Sequence, residues 1–229
     1  MSSVEAPFDG RGRRAVADQL FVLAHDEHTG RPRLQLKVLG LGLAAGLLAE
    51  LAIDDHIDVM QGRVIPTSRS GIPADPLTRW VHARLQAESN TLSDWLAFLA
   101  QSARDRVGRR LVEAGQVREV QERRLLRPVV SFPAADPNVS LWWAWRLRSL
   151  LTGARQITEA DLGDPNLITD VMVLALLIAT ELAGHLFAWD SQAARPALIR
   201  LVTVLPYSRR SLALHVHQAV GQATLARRS

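Results

Sequence analysis

The sequence predicts a mainly α protein, a single compact helical domain with one or two small β-hairpins. Three observations predict it. Asp-Pro occurs at Asp75-Pro76, Asp136-Pro137 and Asp164-Pro165, and that pair starts helices: Asp accepts from free N–H groups and Pro fits the first turn. Apolar residues recur at helical spacing through most of the chain. Strand-like alternation is confined to two short stretches.

The elements follow in order. Residues 1–14 are expected to be a flexible N-terminal segment and 15–229 a single helical domain. Met1 to Gly10 carries Glu5 and Asp9 and has no apolar core, so it does not read as a signal peptide. Leu36 to Ile53 and Asp170 to Trp189 approach the ~20-residue length of a membrane span. Lys37 and Glu50 interrupt the first, and Asp170, Glu181 and His185 the second, so both read as buried core helices. His185 is then expected to be a hydrogen-bonded core residue.

Ile57–Met60 and Arg63–Ile65 flank Gln61-Gly62, a hairpin pattern. Helices are predicted to begin near 76, 137 and 165. Thr91-Leu92-Ser93-Asp94 resembles a capping box before Trp95. Ala100, Ala103, Val107, Leu111 and Ala114 fall on one helical stripe, which Gly115 ends. Val117 to Phe132 is a second strand candidate, expected to be irregular or exposed because Pro128 interrupts it. Leu212, His215, Val216, Ala219 and Ala223 suggest a final helix.

Composition excludes several chemistries. The 229 residues contain no cysteine, so a disulfide framework, a Cys-ligated metal and a thiol nucleophile are absent. Net charge is +4, and Lys37 is the single lysine among 27 cations. The charge is polarised. Residues 104–127 hold eight Arg and four acids, and residues 191–229 hold six Arg and no acid, leaving −6 for the remainder. Such an arrangement points to an anionic partner.

Catalytic signals are poor. There is no phosphate-binding Gly loop with a lysine and no nucleophile elbow, so a non-enzymatic protein is expected. His25-Asp26-Glu27-His28 offers metal-type ligands but precedes Thr29-Gly30, and a solvated turn explains it better. Asp54-Asp55-His56 likewise reads as a turn. No metal or cofactor is expected. In Trp142-Trp143-Ala144-Trp145, Trp142 and Trp145 share a helix face while Trp143 points elsewhere. Core packing is expected for two of the three, and an interfacial anchor is the functional alternative.

On the striped helix Arg106 and Arg109 face away from the core, and Arg104 and Arg110 flank the stripe. A flanking Arg can lay its stem on apolar surface and present its fork to a phosphate. Beyond it, Arg118, Arg123, Arg124 and Arg127 interleave with Leu125, Leu126, Val129, Val130 and Phe132. Basic residues around an apolar tip suit a membrane surface or a protein–protein arm. No nucleic-acid motif is present, and no nucleic-acid partner is expected.

The ordered landmarks resemble the Golgi phosphoprotein 3 family, particularly its bacterial members. They are Ala17-Asp18-Gln19-Leu20-Phe21-Val22-Leu23-Ala24, Asp26-Glu27-His28-Thr29-Gly30, Leu41-Gly42-Leu43, Leu47-Leu48-Ala49-Glu50-Leu51-Ala52, Asp75-Pro76-Leu77, Trp95-Leu96, Arg104-Asp105-Arg106-Val107, Leu111-Val112-Glu113-Ala114-Gly115 and Leu174-Ala175-Leu176-Leu177. The resemblance runs over about 15–225 and implies a compact helical fold. It also implies a peripheral membrane protein that binds phosphatidylinositol 4-phosphate and acts as an adaptor for cytosolic tails of glycosyltransferases. A hairpin at 119–132, with Arg123, Arg124, Leu125, Leu126, Val129, Val130 and Phe132, would contact membrane or a second copy.

The family's headgroup positions map onto Gln35 for its Trp, Ala44 for its first Arg, and Gln101 and Arg104 for its later Arg pair. Only Arg104 keeps its cation. Losing two of three cations removes several kcal/mol of phosphate binding, at about 1.5–3 kcal/mol per charge-assisted bond. Arg33, Lys37, Arg106 and Arg110 are the basic candidates to substitute. The expected function is docking on an anionic membrane surface or phosphoinositide, from the cytoplasm and peripherally. A soluble protein–protein adaptor without specific phosphoinositide recognition is the alternative.

Overall fold

Helix α2 (Leu36–Ile53) is the axis of the fold. Its sequence is apolar all round, and from Val38 to Ala52 it is buried without a break. In the computed structural model, residues 15–69, 71–124, 127–153, 157–187 and 191–225 are described. The expected flexible segment 1–14 lies outside them.

Around α2 pack α1 (Val16–Ala24), α3 (Pro76–Ala87), α4 (Leu92–Ala100), α5 (Ala103–Glu113), α7 (Pro165–Ala179) and α10 (Tyr207–Leu225). Helices α6 (Asn138–Gly153), α8 (Ala183–Leu186) and α9 (Ser191–Val204) complete the described set. Strands β1 (Ile57–Met60) and β2 (Arg63–Pro66) form one antiparallel hairpin, and β3 (Val120–Arg124) and β4 (Arg127–Ser131) another. The mainly α class with two small hairpins is therefore correct.

Close approach to α2 depends on its glycines. A Cβ on Gly40 would sit 2.5 Å from the Ala100 carbonyl oxygen, and one on Gly46 would sit 2.9 Å from Ala17 Cα. These contacts bring the end of α4 and the start of α1 against the α2 backbone.

The predicted starts hold. Asp75 and Asp164 cap α3 and α7 with Pro at the first position, and Asp136 Oδ1 accepts from the Asn138 amide. Thr91 accepts from the Asp94 amide and caps α4. In the first hairpin, Gln61 and Gly62 take φ of 50° and 72°. Two successive left-handed residues make the turn whose twist matches a two-residue hairpin.

Several expectations fail for local reasons. The stripe from Ala100 to Ala114 is not one helix. It breaks at Gln101-Ser102, so Ala100 ends α4, and Ala114 is exposed beyond α5. Pro128 sits within a regular strand, opposite Arg123. A two-stranded sheet has an open side on every strand, so a missing N–H is tolerated there. The apolar stretch 170–189 is not one helix either. It ends at Ala179, Glu181 takes φ 62°, and His185 is exposed on short α8 rather than buried. In α6 it is Trp143 that is buried, at 5% exposure, while Trp142 is half-buried and Trp145 is 65% exposed. Two of the three thus pack on the core as expected, but they are Trp143 and Trp142, not the pair that shares a face.

A candidate anion-facing surface

The site is built from three chain segments that α2 gathers. The loop between α1 and α2 turns on Asp26. Its Oδ1 accepts from the Thr29 amide at 2.8 Å and the Thr29 hydroxyl at 2.8 Å. These bonds hold the Asp26 carboxyl below the usual carboxylate range. Before it, His25 is buried, stacks on Phe21 at 4.0 Å, and donates Nδ1–H to the Phe21 carbonyl at 2.7 Å. Burial pushes its pKa down to about 4, with Arg104 and Arg33 repelling the charged form and the Phe21 bond opposing. His28 is exposed while His25 is buried, so the two imidazoles of this segment lie in different surroundings.

After this loop α2 begins without a side-chain cap. Gln35 is exposed at the cap position, and no acid lies in the first turn. Leu36 is 61% exposed and Lys37 is exposed. Both lie one turn before Gly40 on its face, because residues three and four apart are neighbours on a helix. Gly40 presses on Ala100, so this first turn stands beside the end of α4, where Gln101 is exposed. Three of the four family headgroup positions, Gln35, Gln101 and Arg104, therefore lie along one α2–α4–α5 edge. Ala44 does not join them. It is fully buried one turn deeper than Gly40 on the same face, and it can touch no ligand.

The basic candidates separate by what already occupies them. Arg104 Nη2 donates to the Val130 carbonyl at 2.8 Å, and its guanidinium lies 5.0 Å from the Phe132 ring centroid. Its side chain is 17% exposed and sits 3.5 Å from Asp105. Arg104 is thus a clamp between α5 and β4. Arg33 is held by Glu27 at 2.5 Å and by the His25 carbonyl at 3.3 Å. Arg110 is bound by Asp18, Glu50 and Asp75, and its side chain is 13% exposed. Arg110 was expected to face an anionic ligand; it faces carboxylates of its own chain instead.

Of the four basic candidates, Lys37 and Arg106 remain open. Arg106 lies flat on Trp80, 3.7 Å from the ring centroid, and its Nε donates to Ser102 Oγ at 3.1 Å. Neither makes an ion pair among the described residues. A guanidinium stacked on indole can still present its Nη donors to an anion. Trp80 stacks in turn over the 38%-exposed Phe98, one turn before Gln101. The Arg106–Trp80–Phe98 stack thus ties α5, α3 and α4 together at the surface.

The hairpin residues divide likewise. Val129 is 41% exposed and Val130 is half-buried against the core. Phe132, expected at a membrane or self-association surface, is 3% exposed, packs edge-on to Phe21 at 5.5 Å and rests on Gly108. It is a core residue that anchors the hairpin. Arg123 and Arg124 lie in β3 by their backbone, but their side chains, and all of Leu125 and Leu126, lie outside the described residues.

Sequence reasoning missed Trp80 as a platform and the partners of Arg110. Glu50 carried a signal: a carboxylate inside an all-apolar helix must be paired or bonded when buried. Its Oε1 accepts the Ala17 amide at 2.8 Å and both its oxygens meet the Arg110 fork. No curated protein matches the chain. The Golgi phosphoprotein 3 (GPP34) family matches residues 16–222, nearly the whole described fold and every part of this edge. The chain belongs to the Golgi phosphoprotein 3 family.

Proposed function

We propose that the protein is a non-enzymatic peripheral protein that docks from the cytoplasm on an anionic membrane surface. The observation that carries this reading is the exposed start of α2, Leu36 and Lys37, beside the end of α4 at Gln101, with the Trp80-stacked Arg106 of α5 as a second open cation. An apolar side chain beside cations suits the boundary between headgroups and acyl chains. Family membership supports lipid as the partner, with phosphatidylinositol 4-phosphate as the finer reading. The family pocket is not reproduced residue by residue: Ala44 is buried and Arg104 is committed to the hairpin. An anionic surface is accordingly the broader reading and a particular headgroup the narrower one. The hairpin, with Val129 outward, would add contact to membrane or to a second copy.

Flotation with vesicles of phosphatidylcholine alone, with added phosphatidylserine, and with added phosphatidylinositol 4-phosphate tests this. Binding to both anionic mixtures, falling as salt rises, is the expected result. Binding to the phosphoinositide alone would favour the narrower reading. Equal behaviour with all three mixtures would reject lipid docking.

A second reading, a soluble adaptor, is favoured by one observation. Trp145, 65% exposed, borders an open groove of about 580 Å³ with Arg146, Ser149, Leu150, Ile157 and Leu167. If that groove takes a partner peptide, Trp145→Ala abolishes partner capture and leaves vesicle binding unchanged.

A further inference from the structure

Asp18, Glu50 and Asp75 come from three segments far apart in sequence and converge on one guanidinium. Arg110 Nε donates to Asp18 Oδ1 at 2.9 Å, and Nη2 lies 2.7 Å from the same oxygen. Nη1 and Nη2 straddle Glu50 at 2.9 and 3.1 Å, and Nη1 also reaches Asp75 Oδ2 at 3.2 Å. The three carboxylates are not equivalent. Asp75 is about one-third exposed and caps α3, so water and the Thr78 amide share its charge. Glu50 takes the guanidinium fork on both oxygens and the Ala17 amide besides. Asp18 engages Arg110 through Oδ1 alone, and Oδ2 receives no donor from the described residues.

The charged groups acting on Asp18 are Arg110 of α5, Glu50 of α2 and Asp75 at the start of α3. Two of these three repel a carboxylate. Helices α6 and α7 also pack on α1, but their Arg146 and Asp170 bind each other at 2.6 Å. Asp18 therefore shares a single cation with two competing anions in a mostly buried place. Such a carboxyl group keeps its proton unless the attraction outweighs both desolvation and repulsion.

We propose that Asp18 is a proton-binding latch: with a proton on Oδ2 it seats α1 against α2 and α5, and losing that proton loosens α1. In the seated form the acid adds no charge to the cluster, and Oδ1 still accepts from Arg110. In the released form a carboxylate faces Glu50 and Asp75 inside the α1–α2–α5 junction. Burial, joined by repulsion from Glu50 and Asp75 and only partly offset by Arg110, pushes the Asp18 pKa up to about 7. The latch thus works around neutrality. Burial also holds His25 and His82 below the free-ring value of 6.5, His25 at about 4.

The test is carbon-13 NMR of the Asp18 carboxyl in the full chain, with thermal unfolding of wild type and Asp18→Asn at pH 6 and pH 8. Asn keeps the acceptor oxygen and mimics the protonated acid. The expected result is a carboxyl midpoint near 7, and a wild-type melting temperature that falls relative to Asp18→Asn by a few degrees between the two pH values. A carboxyl midpoint below 5 overturns the proposal. So does a melting difference that is the same at both pH values.

Discussion

Arg110 and Arg104 look alike in the sequence, two arginines flanking one apolar stripe, and the structure gives them unrelated work. Arg110 ties α5 to α1, α2 and the cap of α3 through three carboxylates. Removing it strands Glu50, which is 7% exposed, without its fork. Arg110→Met is expected to cost about 3–5 kcal/mol, the range for breaking a buried pair from one side. Urea unfolding at neutral pH measures it, and a loss under about 1 kcal/mol, the worth of a surface pair, would mean the cluster is not integral. Arg104 instead holds the hairpin through the Val130 carbonyl and the Phe132 ring. Arg104→Met is expected to lose about 1–3 kcal/mol from one charge-assisted bond and one cation–π contact. Amide exchange should show that loss in β4 before it appears in α2. Which arginine does what was illegible in sequence, because the answer depends on residues as distant as Asp18 and Val130. The buried Glu50 did announce that some cation must come to it.

At the scale of elements the sequence was far more informative. Asp-Pro pairs, the Thr91 cap and Gln61-Gly62 carry their own local hydrogen bonds or dihedrals, so they need no tertiary context. The failures came where tertiary contacts decide. Nothing local marks Gln101-Ser102 as a break between α4 and α5, since Ala100, Ala103 and Val107 keep helical spacing across it. The Trp142–Trp145 pair misled because all three tryptophans are equally able to be core. Only the packing partners of α6 choose Trp143. The α2–α4 contact is the most sensitive joint of the site, because Gly40 lies against the Ala100 carbonyl. A Cβ there meets backbone, not a side chain that can turn aside. Gly40→Ala is therefore expected to destabilise by about 1–3 kcal/mol, the usual cost of overpacking. Gly115→Ala meets no atom within 4 Å. Its strain is conformational, from φ +69°, and is expected to cost about 1–2 kcal/mol. Parallel melting curves check both, and only Gly40→Ala should also weaken vesicle binding.

Across the whole molecule, the family relation and the exposed start of α2 beside the end of α4 bear together on docking. Acid stability belongs at this scale, since it sums over buried groups. The His25 pKa falls from 6.5 in the free ring to about 4 in the fold. The neutral ring's contribution is thus complete above pH 6.5 and lost as pH falls toward 4, a loss of about 3 kcal/mol. The stability advantage of wild type over His25→Phe should shrink across that range, as urea midpoints at pH 7 and pH 4.5 would show.

The central claim is that the open cations Lys37 and Arg106, and not the inherited Arg104 position, meet the anionic surface. The most direct measurement is the affinity for phosphatidylserine-containing vesicles of wild type and of Lys37→Ala/Arg106→Ala, with circular dichroism confirming the variant's fold. The account predicts that the double variant folds normally and binds at least tenfold more weakly, since about 1 kcal/mol is lost for each cation near the surface. Unchanged binding by a folded double variant would contradict it.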